Sequence, residues 1–376
     1  MNKYLIRLAP LGKYFFGGDM TFQVGKDTDE TYKAYNESYS SYIIESSRFP
    51  QQTSLLGMMR YLLLTKSSDV FSMQRNRIIS REKASDLIGR SSFRVVNPSC
   101  YAKNNFGQIH AIGPCFLVKE GEYYLPVPKD YKLEICFQNA KTASYNGREL
   151  RVPEIANYNP KDHNDDFYFN TSTGEVVKGN DIFIKDTRIG INKNYRGKSD
   201  ENGFYKQISY RLADGYCFGF VVDTTFDLDL CRSEIVSLGG DGSRFSLSAV
   251  RLAETDSGLP NYQKISEKLN AIAPLCRVVL LSESLIDPNW IDTCVFSITD
   301  TVPFRFLQTS VETTKDYSIL SKDATRSVKY HLYRKGSVFY FEGKEQAEAF
   351  SKAIAERGDF HEIGYNYCEL VIGTKQ

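Results

Sequence analysis

Tryptophan is nearly missing from this chain, with one in 376 residues, and histidine is scarce, with four. The histidines His110, His163, His331 and His361 are scattered and form no H-x-x-x-H pair, so zinc-hydrolase chemistry has no sequence support. Cysteine is present eight times but never as C-x-x-C, which excludes a zinc knuckle or a thioredoxin-like redox motif. Neither sign of charge dominates: 47 Lys and Arg face 46 Asp and Glu, for a net charge of +1. No global basic field draws in nucleic acid, so any anion site has to be a local patch. The longest apolar stretch, Tyr216 to Val222, is too short to span a bilayer. The N-terminal MNKYLIRLAPLGKYFF has neither a sustained apolar run nor a small-residue cleavage site, so it does not read as a signal peptide. Together with cysteines set in apolar strands, this predicts a reducing, cytoplasmic setting.

What is present is aromatic and β-prone. The 25 Tyr and 24 Phe suit β-rich cores, with a minority available as stacking platforms for bases. The N-terminal alternation predicts a first strand. Gly25 to Ser47 reads as a long polar loop. RFPQQTSLLGMMRYLLLTK then reads as the best amphipathic helix: Pro50 opens it, the Gln-Gln-Thr-Ser group can cap it, and Leu55, Leu56, Met59, Leu62 and Leu63 recur at helical spacing. FLVK, Glu120-Gly121 and EYYLPV predict a hairpin. Asn139 to Asp181 is polar with little periodicity and is predicted to be an insertion or mobile arm. Lys185 to Ser199 is locally basic, with five cations facing only Asp186. Strand-like segments return from Gly203 onward, a short helix is expected at Ile265 to Ile272, and EGKEQAEAFSKAIAERG is a helix predicted to end at Gly358. Many strands, few helices and no regular βαβ alternation predict an α+β fold with largely antiparallel sheets and inserted loops. One helix after the first strand and another before the last suit two tandem ferredoxin-like (RRM-like) units, divided into residues 1–205 and 206–376.

The glycine loop VSLGGDGSRFSLS is the most distinctive local feature. It has no lysine for a Walker A loop and no following helix for a dinucleotide fingerprint. Its single Asp241 is too few for a two-metal polymerase-type site. Two readings stay open. Gly239, Gly240 and Gly242 take positive φ and point successive N–H groups into an anion nest, with Arg244 adding a bidentate grip on phosphate. Alternatively, the segment is a flexible hairpin turn. Arg188 to Lys198 also reads two ways: as a solvated loop, or as a mixture of cations with Asn192, Asn194 and Tyr195 that holds a phosphate backbone and stacks a base. Asp162 to Asp166 lacks calcium-loop spacing and reads as a solvated loop. His331 and His361 offer the general base of a metal-independent ribonuclease, although each sits in apolar, β-like sequence that suits a hydrogen-bonded core or surface histidine.

Six segments in order resemble one family, the third subunit of the Cmr effector of type III-B CRISPR systems, in the RAMP superfamily. They are APLGKYFFGGDMTF, RFPQQTSLLGMMRYLLL, IGPCFLVKEGEYYLPVPKD, DTRIGINKN with GFYKQISYRL, SLGGDGSRF and KGSVFYFEG. The resemblance implies two RAMP domains and a subunit that caps one end of a ribonucleoprotein used in antiviral defence. It implies that this subunit holds the 5′ tag of the guide RNA and docks the large polymerase-like signalling subunit and the first backbone subunit. It implies no nuclease activity and no cofactor or metal. On that reading, RNA is clamped by the glycine loop (Gly239, Gly240, Gly242, Arg244), by the start of the first helix (Gln52, Thr53, Ser54), by Arg48 and Arg60 nearby, and by Arg188, Asn192, Lys193, Tyr195, Arg196 and Lys198 closing over the bases. A processing endoribonuclease of the same superfamily and a purely protein-contacting scaffold are the alternatives.

Overall fold

In the computed structural model of the chain, the described residues are 1–17, 20–22, 42–90, 92–95, 104–131, 133–145, 148–156, 167–193, 199–231, 233–262, 275–308 and 325–371. The expected helix at Ile265 to Ile272, the Asp162 to Asp166 run and most of Gly25 to Ser47 lie outside them.

The elements are, in order, β1 (Asn2–Pro10), β2 (Met20–Phe22), β3 (Tyr42–Glu45), α1 (Gln52–Lys66), α2 (Arg81–Ile88), β4 (Ile109–Ile112), β5 (Phe116–Lys119), β6 (Glu122–Pro126), β7 (Glu134–Tyr145), β8 (Arg148–Ala156), β9 (Phe167–Asn170), β10 (Val176–Lys178), β11 (Phe183–Lys193), β12 (Ser199–Leu212), β13 (Tyr216–Thr224), β14 (Glu234–Ser237), β15 (Arg244–Arg251), β16 (Cys276–Leu280), β17 (Phe296–Ile298), β18 (Val338–Phe341), α3 (Lys344–Ala355) and β19 (Cys368–Val371), besides shorter pieces. The fold is α+β with largely antiparallel sheets. Among the described strand pairs, the one parallel pairing joins β12 to β3.

A nine-stranded sheet runs β10-β9-β6-β5-β13-β1-β15-β14, with β4 added against β13. One face buries Tyr4, Ile6, Leu8, Phe218, Phe220 and Phe245 under the apolar side of α1. The other face, through Leu5, Phe116, Val118 and Val221, meets Val279, Val338, Tyr340 and Val371 of a four-stranded sheet, β17-β18-β16-β19. That second sheet buries Val278, Leu280, Phe339 and Phe341 against Ala347, Phe350 and Ile354 of α3. Four layers result: helix, sheet, sheet, helix. Strands covered on both faces need apolar side chains at nearly every position, which accounts for the unbroken YCFGFVV and VFYF runs.

Several local expectations hold for local reasons. Glu120 (φ 53°) and Gly121 (φ 86°) both take positive φ, as a two-residue type I′ hairpin requires. Others are corrected. Asn139 to Asp181, expected to be an insertion or mobile arm, carries strands: β7 and β8 form a two-stranded ribbon, and β9 and β10 extend the large sheet, which corrects the mobile-arm alternative for those strands. The Arg188 to Lys198 stretch is not a loop throughout, because Arg188 to Lys193 belong to β11, which pairs with β12. Gly358 does not terminate α3, which ends at Ala355; it opens a separate helical turn, Gly358–His361. The expected division near residue 205 falls inside β12, and β13, β14 and β15 from its far side join the sheet that begins with β1.

Candidate nucleic-acid interface

The hairpin β11–β12 forms a four-stranded sheet with β3 and β2, and its residues alternate between two faces. Asp186, Arg188 and Gly190 share one face with their partners Ser209, Gln207 and Tyr205. Lys185 and Tyr210 share the other, where both reach Glu45: Lys185 Nζ at 2.9 Å and Tyr210 OH at 2.5 Å. Burial works against the Glu45 charge, but the bonds from Tyr210 and Lys185 outweigh it and its pKa is lowered overall.

The glycine loop lies against this hairpin. β14 and β15 end on the pair Ser237 and Arg244, and Ser243 N donates to Gly240 O at 3.0 Å. The two residues between, Asp241 and Gly242, have φ of 53° and 70°, the positive values a type I′ turn needs. Gly240 N donates to Phe15 O at 2.7 Å, and Phe15 N donates to Ser243 Oγ at 2.9 Å, so the turn is docked on the Tyr14–Phe16 segment. Gly239 (φ 87°) is required by that docking, since a Cβ there would stand 2.4 Å from Phe15 O. The neighbouring residue Tyr14 exchanges backbone bonds with Tyr210 of β12, at 2.8 and 3.1 Å. The segment therefore ties the glycine turn to the hairpin. Across the junction, Gln207 Nε2 donates to the Asp241 carboxylate, and Lys13 Nζ lies 3.3 Å from Asp186.

Two readings of the glycine loop were open, and the geometry favours the hairpin turn. Gly239 and Gly242 do take positive φ, but the amide of Gly240 is occupied by Phe15, so the three glycines do not present a continuous nest. Arg244 and Arg188 are both exposed.

The remaining candidates separate into those near this surface and those inside the protein. Arg48 packs over Phe183 (5.5 Å) and Tyr210 (5.9 Å) and donates to Asn180 Oδ1 at 2.9 Å, at the base of the hairpin. Gln52 is buried, with 2% exposure, and its Nε2 donates to Gly113 O and Gly364 O, both at 3.0 Å. It joins three chain segments and has no donor left for a phosphate. No side-chain cap bond is made at Gln51, the N-cap of α1, so the expected capping by the Gln-Gln-Thr-Ser group is not realised there. Ser54 is exposed on the first turn, and Thr53 bonds Tyr365. Arg60 is also structural. Its Nε donates to Ile88 O at 2.7 Å and its Nη2 reaches Gly89 O at 3.3 Å, supplying donors to the last carbonyls of α2. Burial lowers its pKa to about 10, which leaves it protonated at neutral pH. Asn192 and Lys193 close β11, and Tyr195, Arg196 and Lys198 lie outside the described residues.

Sequence reasoning missed Lys13, Gln207 and Tyr205. The period-2 alternation of KDTRIGINK and FYKQISYRL carried the signal, because it places Arg188, Gln207 and Tyr205 on one face once the two strands pair. Among the described residues no group of three or more His, Cys, Asp and Glu side chains is placed to hold a metal ion. His361 has its Nδ1 3.3 Å from Asn366 O and stacks on Tyr367 at 4.0 Å, and burial lowers its pKa. His331 is exposed on a short strand, opposite Pro303.

The model of a protein family described as CRISPR-associated protein (Cas_Cmr3) matches residues 170–373, a span that holds the hairpin, the glycine turn and the second sheet. The chain is similar to a chain of the type III-B Cmr-beta complex bound to cognate target RNA, at 14% identity and a TM-score of 0.47, over 96% of this chain and 95% of that one. It is also similar to a chain of the Csm3–Csm4 subcomplex of the type III-A interference complex, at 12% identity and a TM-score of 0.33, over 90% and 94%. No curated protein matches the chain.

Proposed function

The chain belongs to the Cas_Cmr3 family of CRISPR-associated proteins; from that premise we propose that it is a non-catalytic RNA-binding subunit of a type III-B (Cmr) CRISPR effector, which holds the 5′ tag of the guide RNA and docks the large polymerase-like subunit onto the backbone. The observation that carries this reading is the junction of the β11–β12 hairpin with the type I′ turn. Two segments far apart in sequence meet there through Gln207 and Asp241, and Arg188 is exposed on the same hairpin face. Exposed arginines on hydrogen-bonded strands are held in register, as backbone contacts to a single strand require. Arg244, exposed at the start of β15, extends the cationic edge.

The non-catalytic part of the reading draws support from the histidines. His361 holds its Nδ1 3.3 Å from Asn366 O and stacks on Tyr367, the surroundings of a packed group.

Ultraviolet crosslinking of the co-expressed complex to its guide RNA, with the crosslinked peptides mapped, tests the proposal. Crosslinks from the 5′ tag are expected in Lys185 to Gln207 and Gly239 to Phe245. Arg188→Ala and Arg244→Ala should each weaken guide retention by about 10- to 150-fold, the range for one charge-assisted contact, without lowering the unfolding temperature. Crosslinks confined to other subunits, or full retention in both variants, would refute it.

A further inference from the structure

An exposed carboxylate at the centre of this surface is out of place if phosphate is all that binds there. Asp241 sits at the tip of the type I′ turn. Asp186, another acid of this face, already has Lys13 at 3.3 Å. No cation pairs with Asp241 among the described residues; its one recorded side-chain partner is the amide of Gln207. An ionised carboxylate repels phosphate, and it only accepts hydrogen bonds, with about four lone-pair sites. Gln207 uses one site and fixes the orientation of the group. The remaining sites call for N–H donors, which unpaired bases present along their edges.

A stacking platform lies beside it. Tyr205 precedes Gln207 by two positions on β12, on the same face and about 7 Å along the strand. Its cross-strand partner is Gly190, where a Cβ would stand 2.2 Å from Tyr205 Cζ and 2.4 Å from its Cε1 and Oη. The ring therefore lies across the bare glycine backbone, and the residue is 36% exposed. A ring already immobilised in this way gives up little freedom when a base stacks on it. Arg188, opposite Gln207, completes the row.

Resting on the RNA-binding reading above, we infer that Tyr205, Asp241 and Arg188 form a pocket for one unpaired guanine, with Gln207 as the positioning residue of the carboxylate. The row of an arginine donor followed by a two-oxygen acceptor is complementary to the guanine Watson–Crick edge. O6 accepts from Arg188, while N1–H and the N2 amino group donate to Asp241. The base plane stacks on Tyr205. Adenine and cytosine each lack one or more of these groups, and inosine lacks only the N2 amino group.

The test uses the full chain and fluorescence anisotropy with labelled oligouridylate octamers that carry one central guanosine, inosine, adenosine or cytidine, or none. The guanosine octamer is expected to bind about 10-fold more tightly than the inosine octamer and the rest, the discrimination of a good base-edge pair. Asp241→Asn, which tolerates the left-handed turn position, should bring the guanosine and inosine octamers to the same affinity. Tyr205→Leu should weaken the guanosine and inosine octamers alike, because both stack. Equal binding of all octamers by the unaltered chain, preference for another base, or a guanosine preference that survives Asp241→Asn overturns the pocket while leaving RNA binding intact. Failure to bind any octamer overturns both this inference and the RNA-binding reading.

Discussion

Replacing Arg60 with methionine should lower the stability of this protein without weakening the RNA binding proposed for it. The guanidinium of Arg60 donates at 2.7 Å to Ile88 O and at 3.3 Å to Gly89 O. The second contact is near the limit for an N–H···O bond, so the first carries most of the energy. Methionine keeps the apolar stem and removes every donor. A hydrogen bond from a charged group contributes about 1.5–3 kcal/mol, and because the freed carbonyls of a helix end are partly recovered by water, a loss of about 2 kcal/mol is expected. Unfolding entropy is about 2.1 cal/mol/K per residue, so over 376 residues each kcal/mol moves the midpoint by about 1.3 °C and the variant should melt about 2–3 °C lower. Calorimetry measures that shift, and anisotropy on the guide tag measures affinity in parallel. Arg60→Lys keeps the charge and one directed donor and should fall between the two. An unchanged melting temperature combined with weakened tag binding would refute the argument and return Arg60 to the RNA surface.

Two further outcomes concern the second sheet. Asp130 (0% exposed) accepts from Arg277 Nη1 (3% exposed) and from Tyr340 OH, each at 2.5 Å. Asp130→Ala removes the carboxylate that neutralises a buried guanidinium and should cost about 3–5 kcal/mol, whereas Tyr340→Phe leaves the ion pair and should cost about 1–2 kcal/mol; equal urea midpoints for the two would contradict this. Burial raises the Glu369 pKa, partly offset by the amide of Tyr262, which donates to Glu369 Oε2 at 2.8 Å. A carboxyl whose folded pKa is raised contributes its stability below the ordinary value of about 4.3 and loses it as pH rises through the folded value. Glu369→Gln should therefore gain stability over the unaltered chain at neutral pH, and the gap should close near pH 4. A gap that is constant with pH would show that the charge is not the cause.

Legibility from sequence divided along a physical line. The Glu120-Gly121 hairpin, the apolar stripe of α1 and the strands bearing YCFGFVV and VFYF were readable, because each rests on φ preferences or periodicity within one element. The Asp-Gly pair in GGDGS also carried its answer locally, since those residues at the centre of a tight hairpin turn satisfy two positive φ values. The strands of the polar stretch after Asn139 were not legible, because they are short or form a ribbon, and a weakly alternating segment gives little signal until a partner strand fixes its register.

The sequence by itself determined the class of fold, the strand and turn elements, and the presence of arginine-bearing segments near residues 188 and 244. Tertiary structure alone decided which polar side chains remain available. Gln52 and Arg60 have the same donors as any surface residue, but Gly113, Gly364, Ile88 and Gly89 occupy them. Likewise, Gln207 meets Asp241 across 34 positions because the Tyr14–Phe16 segment fastens the turn to the hairpin. Backbone preference is set by a residue and its neighbours, whereas the partner of a hydrogen-bonding group is set by whichever segment the packed core brings within 3 Å or so of it.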